Sequence, residues 1–450
     1  MLSELEQKSL GVWRDKTVVV VGLGKSGVAA ARLVRRGGAR VIATDRASEE
    51  NISAEANRLE AEFVLGGHEG IDWEAADLVI VSPGVPDFDG LKRAQAAGVQ
   101  VIGETEFASR IVDVPICAIG GTNGKSTATV LLGHLLEAAD QHVFVGGNLG
   151  QPSCEAPGQR VQTVVFEVSS FQMERVPSFR PKVALLLNVS EDHLDRYDSF
   201  SDYAAAKGNC FENQKAEDFA VIPTGSELCR EQASRGKAKL LTFGDGGDYF
   251  VEGKAVVEKS SGIRFDLGDS DLHGRHNHHN AAAAIAMARA IGTSEDAINE
   301  GLRRFRALPH RMALVGRSDG ITFYDDSKAT NVGAAVTALL GLTEEKGVLV
   351  AGGRDKMGSY DELVAALAER GRGVVLLGEA APRLAEAIGK TVPVEIAQSM
   401  QGAVIRAHKM ARPGDAVLLS PACSSLDMYK NYSERGERFT EAVGGLSRQL

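Results

Sequence analysis

The chain has 450 residues, with 50 Lys and Arg against 60 Asp and Glu, and is 44% hydrophobic. At about 150 residues per domain, roughly three domains are expected, and the apolar share excludes global disorder. The formal net charge of −10 argues against a nucleic-acid-coating surface, and no stretch approaches the ~20 apolar residues of a membrane helix. The start, Met1-Leu-Ser-Glu-Leu-Glu-Gln-Lys8, lacks the basic-then-apolar pattern of a signal peptide. Cys117, Cys154, Cys210, Cys229 and Cys423 are scattered without a CxxC, so neither a disulfide framework nor a zinc knuckle is expected. These features predict a soluble cytoplasmic protein with neither nucleic acid nor membrane as partner.

In chain order, short apolar runs alternate with helix-like stretches. Val18–Val21, Val41-Ile42, Leu78–Val81 and Val99–Ile102 form a first series of strands. Ile116–Ile119, Thr163–Phe166, Val183–Leu187 and Phe219–Ile222 form a second, and Val348–Ala351, Val374–Leu377, Val392–Glu395 and Ala416–Ser420 a third. Strand-helix alternation predicts an α/β fold with parallel sheets. Val112-Asp-Val-Pro115 and Leu308-Pro-His-Arg311 mark two boundaries, since proline disfavours helix in the residue before it. The expected domains are residues 1–112, 113–307 and 308–450. The Gly/Asp/Ser-rich stretch from Gly244 to Leu272 predicts loops with short strands.

Val18–Val21 runs into Gly22-Leu-Gly24-Lys-Ser26-Gly27 and a helix. Glycines let the backbone approach a phosphate, and a helix N-terminus favours an anion. Asp45 ends the next strand, where a dinucleotide fold places its ribose-binding carboxylate. These residues leave three possibilities open: NAD or FAD, another diphosphate such as a UDP-sugar, or a bare strand-helix turn. Ser82-Pro83-Gly84, after a third strand, adds a loop at the same sheet edge.

The strongest signal is Ile116-Cys-Ala-Ile-Gly120-Gly121-Thr122-Asn123-Gly124-Lys125-Ser126-Thr127, with a helix from Ala128 to about Ala139. Ile119 stands where the longer phosphate-loop pattern has glycine, so this is the short GxxGK[ST] form starting at Gly121. Its N–H groups would cradle phosphates, Lys125 would reach the β/γ-phosphates and Ser126 would ligate Mg²⁺. The domain's second strand ends at Glu167, placed to hold a metal beside the phosphates. The third leads to Asn188-Val-Ser-Glu-Asp192-His193-Leu-Asp195 at the same edge.

Together with Glu167-Val-Ser-Ser-Phe-Gln172, Tyr203-Ala-Ala-Ala-Lys207, His276-Asn277-His-His-Asn280, Leu308-Pro-His-Arg311 and Asp326-Ser-Lys-Ala-Thr-Asn331, these segments resemble the Mur ligases. That family comprises ATP-dependent amino-acid ligases of peptidoglycan precursor synthesis. The resemblance runs through most of the chain. It implies a Rossmann-like UDP-binding domain, a central P-loop ATPase domain and a Rossmann-like amino-acid-binding domain. Gly146-Gly-Asn148-Leu-Gly150, Ser82-Pro-Gly84, Tyr324-Asp-Asp326 and Ser420-Pro-Ala-Cys-Ser-Ser425-Leu-Asp427 are similar to the branch that adds D-glutamate to UDP-N-acetylmuramoyl-L-alanine. The Asp-Asn-Pro-Arg signature of the diaminopimelate-adding branch is absent. The resemblance turns the N-terminal loop into a UDP site.

Roles implied by the resemblance follow. Lys125, Glu167, His193 and Lys207 would be catalytic, and Ser126, Glu167, His193 and Lys207 would hold Mg²⁺. Gly121 to Thr127, Asn277, Arg311 and Asp326 would bind ATP. Ser26, Asp45, Arg46, Ser82, Asn148 and His193 would contact the UDP-sugar, and Thr330, Lys356, Ser425 and Tyr432 would surround D-glutamate. An ammonium beside a divalent cation is repelled, so Lys207 is expected as a carbamate, whose oxygens suit Mg²⁺. His278 and His279 are expected at a polar surface, Arg435 on a solvated helix face, and Cys423 as a bystander. Asp325-Asp326 could be only a solvated turn. A monomer is expected. The alternatives are a related Mur or folylpolyglutamate-type ligase, an NAD-dependent oxidoreductase carrying a P-loop, or a non-catalytic nucleotide-binding module.

Overall fold

Four successive valines, Val18 to Val21, are all fully buried, as expected of a parallel strand covered on both faces. The computed structural model describes residues 2–192, 196–355 and 358–446. These valines form the middle of the first of three sheets. Its strands are β1 (Thr17–Val21), β2 (Arg40–Asp45), β3 (Glu62–Leu65), β4 (Leu78–Val81) and β5 (Gln100–Gly103), in the order β3-β2-β1-β4-β5. All are parallel. The order reverses between β1 and β4, which opens a crevice at their C-terminal ends where such sheets take ligands. The helix Lys25–Arg36 buries Val28, Ala31, Leu33 and Val34 against this sheet.

The second sheet has nine strands: β6 (Ile116–Gly120), β7 (Val143–Gly147), β8 (Thr163–Glu167), β9 (Val183–Leu186), β10 (Phe219–Pro223), β11 (Lys239–Phe243), β12 (Tyr249–Glu252), β13 (Ala255–Glu258) and β14 (Arg264–Asp266). The order is β14-β13-β12-β11-β10-β9-β6-β8-β7. Strands β6 to β11 are parallel and β12 to β14 form an antiparallel end. The helices Lys125–Glu137 and Arg275–Ala290 share one core with this sheet, and Ala281 to Ala288 are fully buried in it. The third sheet comprises β15 (Ala313–Ser318), β16 (Ile321–Asp325), β17 (Gly347–Gly352), β18 (Gly371–Leu377), β19 (Val394–Ile396) and β20 (Ala416–Leu419), in the order β15-β16-β20-β17-β18-β19. Only β15 is antiparallel.

Every expected strand is present, within a few residues. Several others carry weaker patterns. β3 is a four-residue edge strand without a fully buried side chain, and β7 ends in Gly146-Gly147. Because β3 and β7 intervene, Ser82 follows the fourth strand of its sheet and Glu167 ends the third of its own. The helix after the phosphate loop begins at Lys125, three residues before Ala128.

Candidate active site

The loop after β6 depends on its glycines. Gly121 and Gly124 have φ of +142° and +85°, and a Cβ on Gly124 would lie 2.5 Å from Asn280 Oδ1. Such φ values favour glycine. Asn188, just past β9, braces the loop: its Oδ1 accepts from the N–H groups of Thr122 (3.1 Å) and Asn123 (2.9 Å), and its Nδ2 donates to Asn123 O at 3.0 Å. The Thr122 hydroxyl lies 3.1 Å from the Tyr203 hydroxyl. The helix that follows has no side-chain N-cap, so its first N–H groups remain for an anion.

Two lysines converge on this loop. Lys125 Nζ donates to the carbonyls of Gly121 (2.9 Å) and Thr122 (2.8 Å), and Lys207 Nζ donates to Gly121 O at 2.8 Å. Lys207 is 4% exposed. Burial, with Lys125 close by, holds its pKa well below the ordinary lysine value. Burial also lowers that of Lys125, and the nearby Glu167 opposes the shift.

Glu167 ends β8 beside β6, with Ile119 opposite it in register. Its Oε1 accepts from Asn148 Nδ2 at 2.6 Å, while its buried Oε2 has no partner. An orphaned carboxylate oxygen is costly in isolation and suits a cation. Ser126 Oγ accepts from Arg311 Nη2 at 2.7 Å, so an arginine of the third domain reaches the phosphate loop. Asn331 Nδ2 spans the same junction, 3.4 Å from Asn123 Oδ1 and from Asp192 Oδ2. Among the described residues no group of three or more His, Cys, Asp and Glu side chains forms a metal cage. Mg²⁺ beside a nucleotide needs only one or two protein ligands plus phosphate oxygens, and Ser126 with the orphaned Glu167 fits that requirement. Asn277 and Asn280 pack together at the start of the helix Arg275–Ala290, with Asn280 Nδ2 donating to Asn277 Oδ1 at 3.1 Å. Sequence reasoning gave a role to Asn277 alone, although the i, i+3 spacing puts both on one helix face.

Asp326 and its neighbour are buried, not in a solvated turn. Asp326 accepts from the Ser420 hydroxyl (3.0 Å) and Met312 N–H (3.2 Å). Burial pushes its pKa up to about 7, against the pull of Ser420 and Arg311. Asp325 Oδ2 lies 2.7 Å from His310 Nδ1. Thr330, Ser425 and Tyr432 come to the C-terminal edge of β16 and β20: Ala422 N–H donates to Ala329 O at 3.0 Å, and Tyr432 lies under Lys328 and against His310. Arg435 corrects its sequence assignment. It is 3% exposed, with Nη2 donating to Ser327 O (2.8 Å), Nη1 to Cys423 O (3.1 Å) and Nε to Ser327 Oγ (3.0 Å). Burial pushes its pKa down to about 10. One arginine in a helix of mixed charge carries no sequence signal of burial. His193 and Lys356 lie outside the described residues.

At the first glycine loop, a Cβ on Gly27 would lie 1.7 Å from Gly22 O. Ser82 Oγ donates to Gly22 O at 2.9 Å. Asp45 Oδ2 accepts from Leu23 N–H (2.6 Å) and Oδ1 from Ala47 N–H (2.9 Å). Ser82 and Asp45 therefore shape the loop with the very atoms expected to meet the ligand, while Arg46 is exposed beside them. Sequence reasoning missed His68. It stacks on Phe88 at 4.5 Å and pairs with the Thr44 hydroxyl at 2.8 Å on the same edge.

Comparison with known proteins fits this arrangement. Residues 16–103 match the MurD-like N-terminal domain of Mur ligases, 119–288 the Mur ligase middle domain and 310–423 the Mur ligase glutamate ligase domain. The chain belongs to the Mur ligase family. Mur ligase relatives include the UDP-N-acetylmuramoylalanine–D-glutamate ligase of Citrifermentans bemidjiense, 43% identical over 96% of this chain and 98% of its own. That of Desulfosudis oleivorans is 44% identical over 95% and 96%. Among solved structures, a MurF ligase from Thermotoga maritima in complex with ADP has a TM-score of 0.61 at 19% identity, covering 99% of this chain and 98% of that one. A pseudomurein peptide ligase from Methanothermus fervidus scores 0.59 at 18% identity, over 96% and 100%. The Mur ligase fold is thus shared at low identity.

Proposed function

We propose that the chain is an ATP-dependent ligase that joins D-glutamate to UDP-N-acetylmuramoyl-L-alanine in peptidoglycan precursor synthesis. The observation that carries this is one site formed by Lys125, Ser126 and Glu167 of the central domain with Arg311 of the third. Near-full-length likeness to D-glutamate ligases supports the choice of acceptor. An amide cannot form directly from a carboxylate, because oxide is a poor leaving group. The alanyl carboxylate therefore takes the γ-phosphoryl group of ATP, releasing ADP. The D-glutamate amine attacks the acyl carbon, and phosphate leaves carrying one carboxylate oxygen. Such a reaction asks the protein for positioning and charge neutralisation.

Lys125 would leave its loop carbonyls for the phosphoryl group, and Arg311 would close on the nucleotide from the third domain. Asn277 and Asp326 would complete the ATP site. Ser126 and Glu167, with His193 and Lys207, would hold Mg²⁺, which supplies charge neutralisation at the phosphates. Lys207 serves as a carbamate: a buried amine with a lowered pKa is available to CO₂. Asn148 would contact the UDP-sugar, and Thr330, Lys356, Ser425 and Tyr432 the D-glutamate. The domain limits are 1–112, 113–307 and 308–450. All of these residues lie in one chain, so a monomer suffices, and the location proposed for it is the cytoplasm. No helix among the described residues is long and apolar enough to cross a membrane.

Phosphate release with UDP-N-acetylmuramoyl-L-alanine, ATP and a panel of amino acids tests the acceptor. D-Glutamate should stimulate release and L-alanine or diaminopimelate should not; the reverse would assign another Mur reaction. Copurification of a nicotinamide cofactor would favour an oxidoreductase.

A further inference from the structure

The seam between the first two domains runs along the short helix Glu104–Ser109, which follows β5. Gly103 N–H donates to Arg175 O at 2.8 Å across it. Glu104 is 1% exposed. Its Oε1 accepts from Gln172 Nε2 at 2.9 Å, and Gln172 Oε1 in turn accepts from Ser169 N–H at 3.0 Å. The Ser169 N–H can only donate, so the Gln172 side chain has one orientation and its NH₂ group faces Glu104. Oε1 of Glu104 is therefore an acceptor, while Oε2 is buried without a partner.

An ionised carboxylate with a bare buried oxygen is expensive, and burial pushes the pKa of Glu104 up. In the neutral acid the proton sits on Oε2, because Oε1 is accepting. Oε2 is then a donor that lacks an acceptor. The Ser26 hydroxyl of the first glycine loop lies beside this carboxyl, closely enough to counter part of that rise. Ser26 stands in the first turn of the 12-residue helix Lys25–Arg36, whose N-terminus has no side-chain cap.

We propose that Glu104 is a positioning residue for a diphosphate bound at the Gly22–Gly27 loop: its Oε2–H donates to Ser26 Oγ, which aims the Ser26 proton at the ligand. A hydroxyl has one proton. If it accepts from the neutral acid, that proton is free for an anion. If it faced a carboxylate, it would give the proton inward and turn lone pairs toward the phosphates. Through Gln172 the same carboxyl holds the segment that follows Glu167, so one chain of polar contacts runs from Ser26 by way of Glu104 and Gln172 to Ser169. The inference rests on the proposed UDP site for the identity of the ligand.

The test is calorimetric titration of UDP, and separately of ATP, into the full chain and its Glu104→Ala, Glu104→Gln, Ser26→Ala and Glu104→Ala/Ser26→Ala variants. Loss of one hydrogen bond to a charged ligand is worth about tenfold in affinity. Glu104→Ala and Ser26→Ala should each weaken UDP by about that factor, with the double variant no weaker than either and ATP unaffected. Glu104→Gln keeps one acceptor and one donor, and should restore UDP affinity. Ser26 is only half-buried, so Ser26→Ala alone and in the Glu104→Gln background keeps the test open if Glu104→Ala misfolds; there the two should show the same tenfold loss. Wild-type affinity in Glu104→Ala, additive losses in the double variant, or Glu104→Gln as weak as Glu104→Ala would each overturn the proposal. No binding of UDP by the unaltered chain would overturn the UDP site and the proposal with it. The expected UDP pattern without turnover of the UDP-muramoyl substrate would uphold Glu104 and refute the ligase assignment.

Discussion

Lys125 and Lys207 share the carbonyl of Gly121, and two ammonium groups so close would repel each other, a conflict that carbamylation of Lys207 removes. A phosphoryl group arriving at the loop then draws Lys125 from its carbonyls. Lys125→Ala should therefore cut ligation by ~10²–10³, the usual cost of one such electrostatic contact. Circular dichroism should show an unchanged fold, and near-normal turnover would refute the role. Asp326 gives a pH signature. Its pKa is raised from 3.8 to about 7, so between those values the folded chain binds the proton that the unfolded chain has lost. Stability from this group is highest below pH 3.8 and falls as pH rises toward 7. Asp326→Asn removes that slope: thermal melts at pH 5 and pH 8 should differ less for the variant than for the wild type. Lys125, Ser126 and Glu167 were legible because strand-loop-helix context fixes where their side chains emerge. Arg435 and Glu104 were not, since nothing local to a charged residue says that a distant segment will cover it.

The proposed function divides the ligands between the two glycine loops. At the first, the missing Cβ of Gly27 leaves room for Gly22 O, which would otherwise lie 1.7 Å away. Gly27→Ala must displace that loop, so the KM for the UDP substrate should rise at least tenfold, a loss of about 1.4 kcal/mol or more, with the KM for ATP held. Initial-rate kinetics with each substrate varied in turn decide this; a rise for ATP alone would place the nucleotide triphosphate at the wrong loop. The strands flanking both loops announced themselves as unbroken apolar runs. β7 did not, because Gly146 and Gly147 dilute its pattern. They are glycines for packing reasons: a Cβ on Gly147 would lie 2.4 Å from Glu167 O. The antiparallel pair β15 and β16 was also missed, since the half-exposed β15 lacks a continuous apolar run.

The second and third sheets meet at one junction because the third domain reaches the second. Arg311 Nη2 on Ser126 Oγ is the direct link, and sequence alone placed Arg311 near the nucleotide only through family resemblance. Arg311→Ala should raise the KM for ATP by ~10–100-fold, the range for a lost hydrogen bond to a charged group, with the melting temperature nearly unchanged; an unaltered KM would mean that the contact is incidental. The central claim is that a carboxylate is activated by phosphoryl transfer. It is tested most directly with UDP-N-acetylmuramoyl-L-alanine carrying oxygen-18 in both alanyl carboxylate oxygens. With ATP and D-glutamate present, mass spectrometry of the released phosphate should find one oxygen-18 atom per amide formed. Unlabelled phosphate accompanying amide formation would contradict an acyl phosphate, and with it the mechanism proposed for this site.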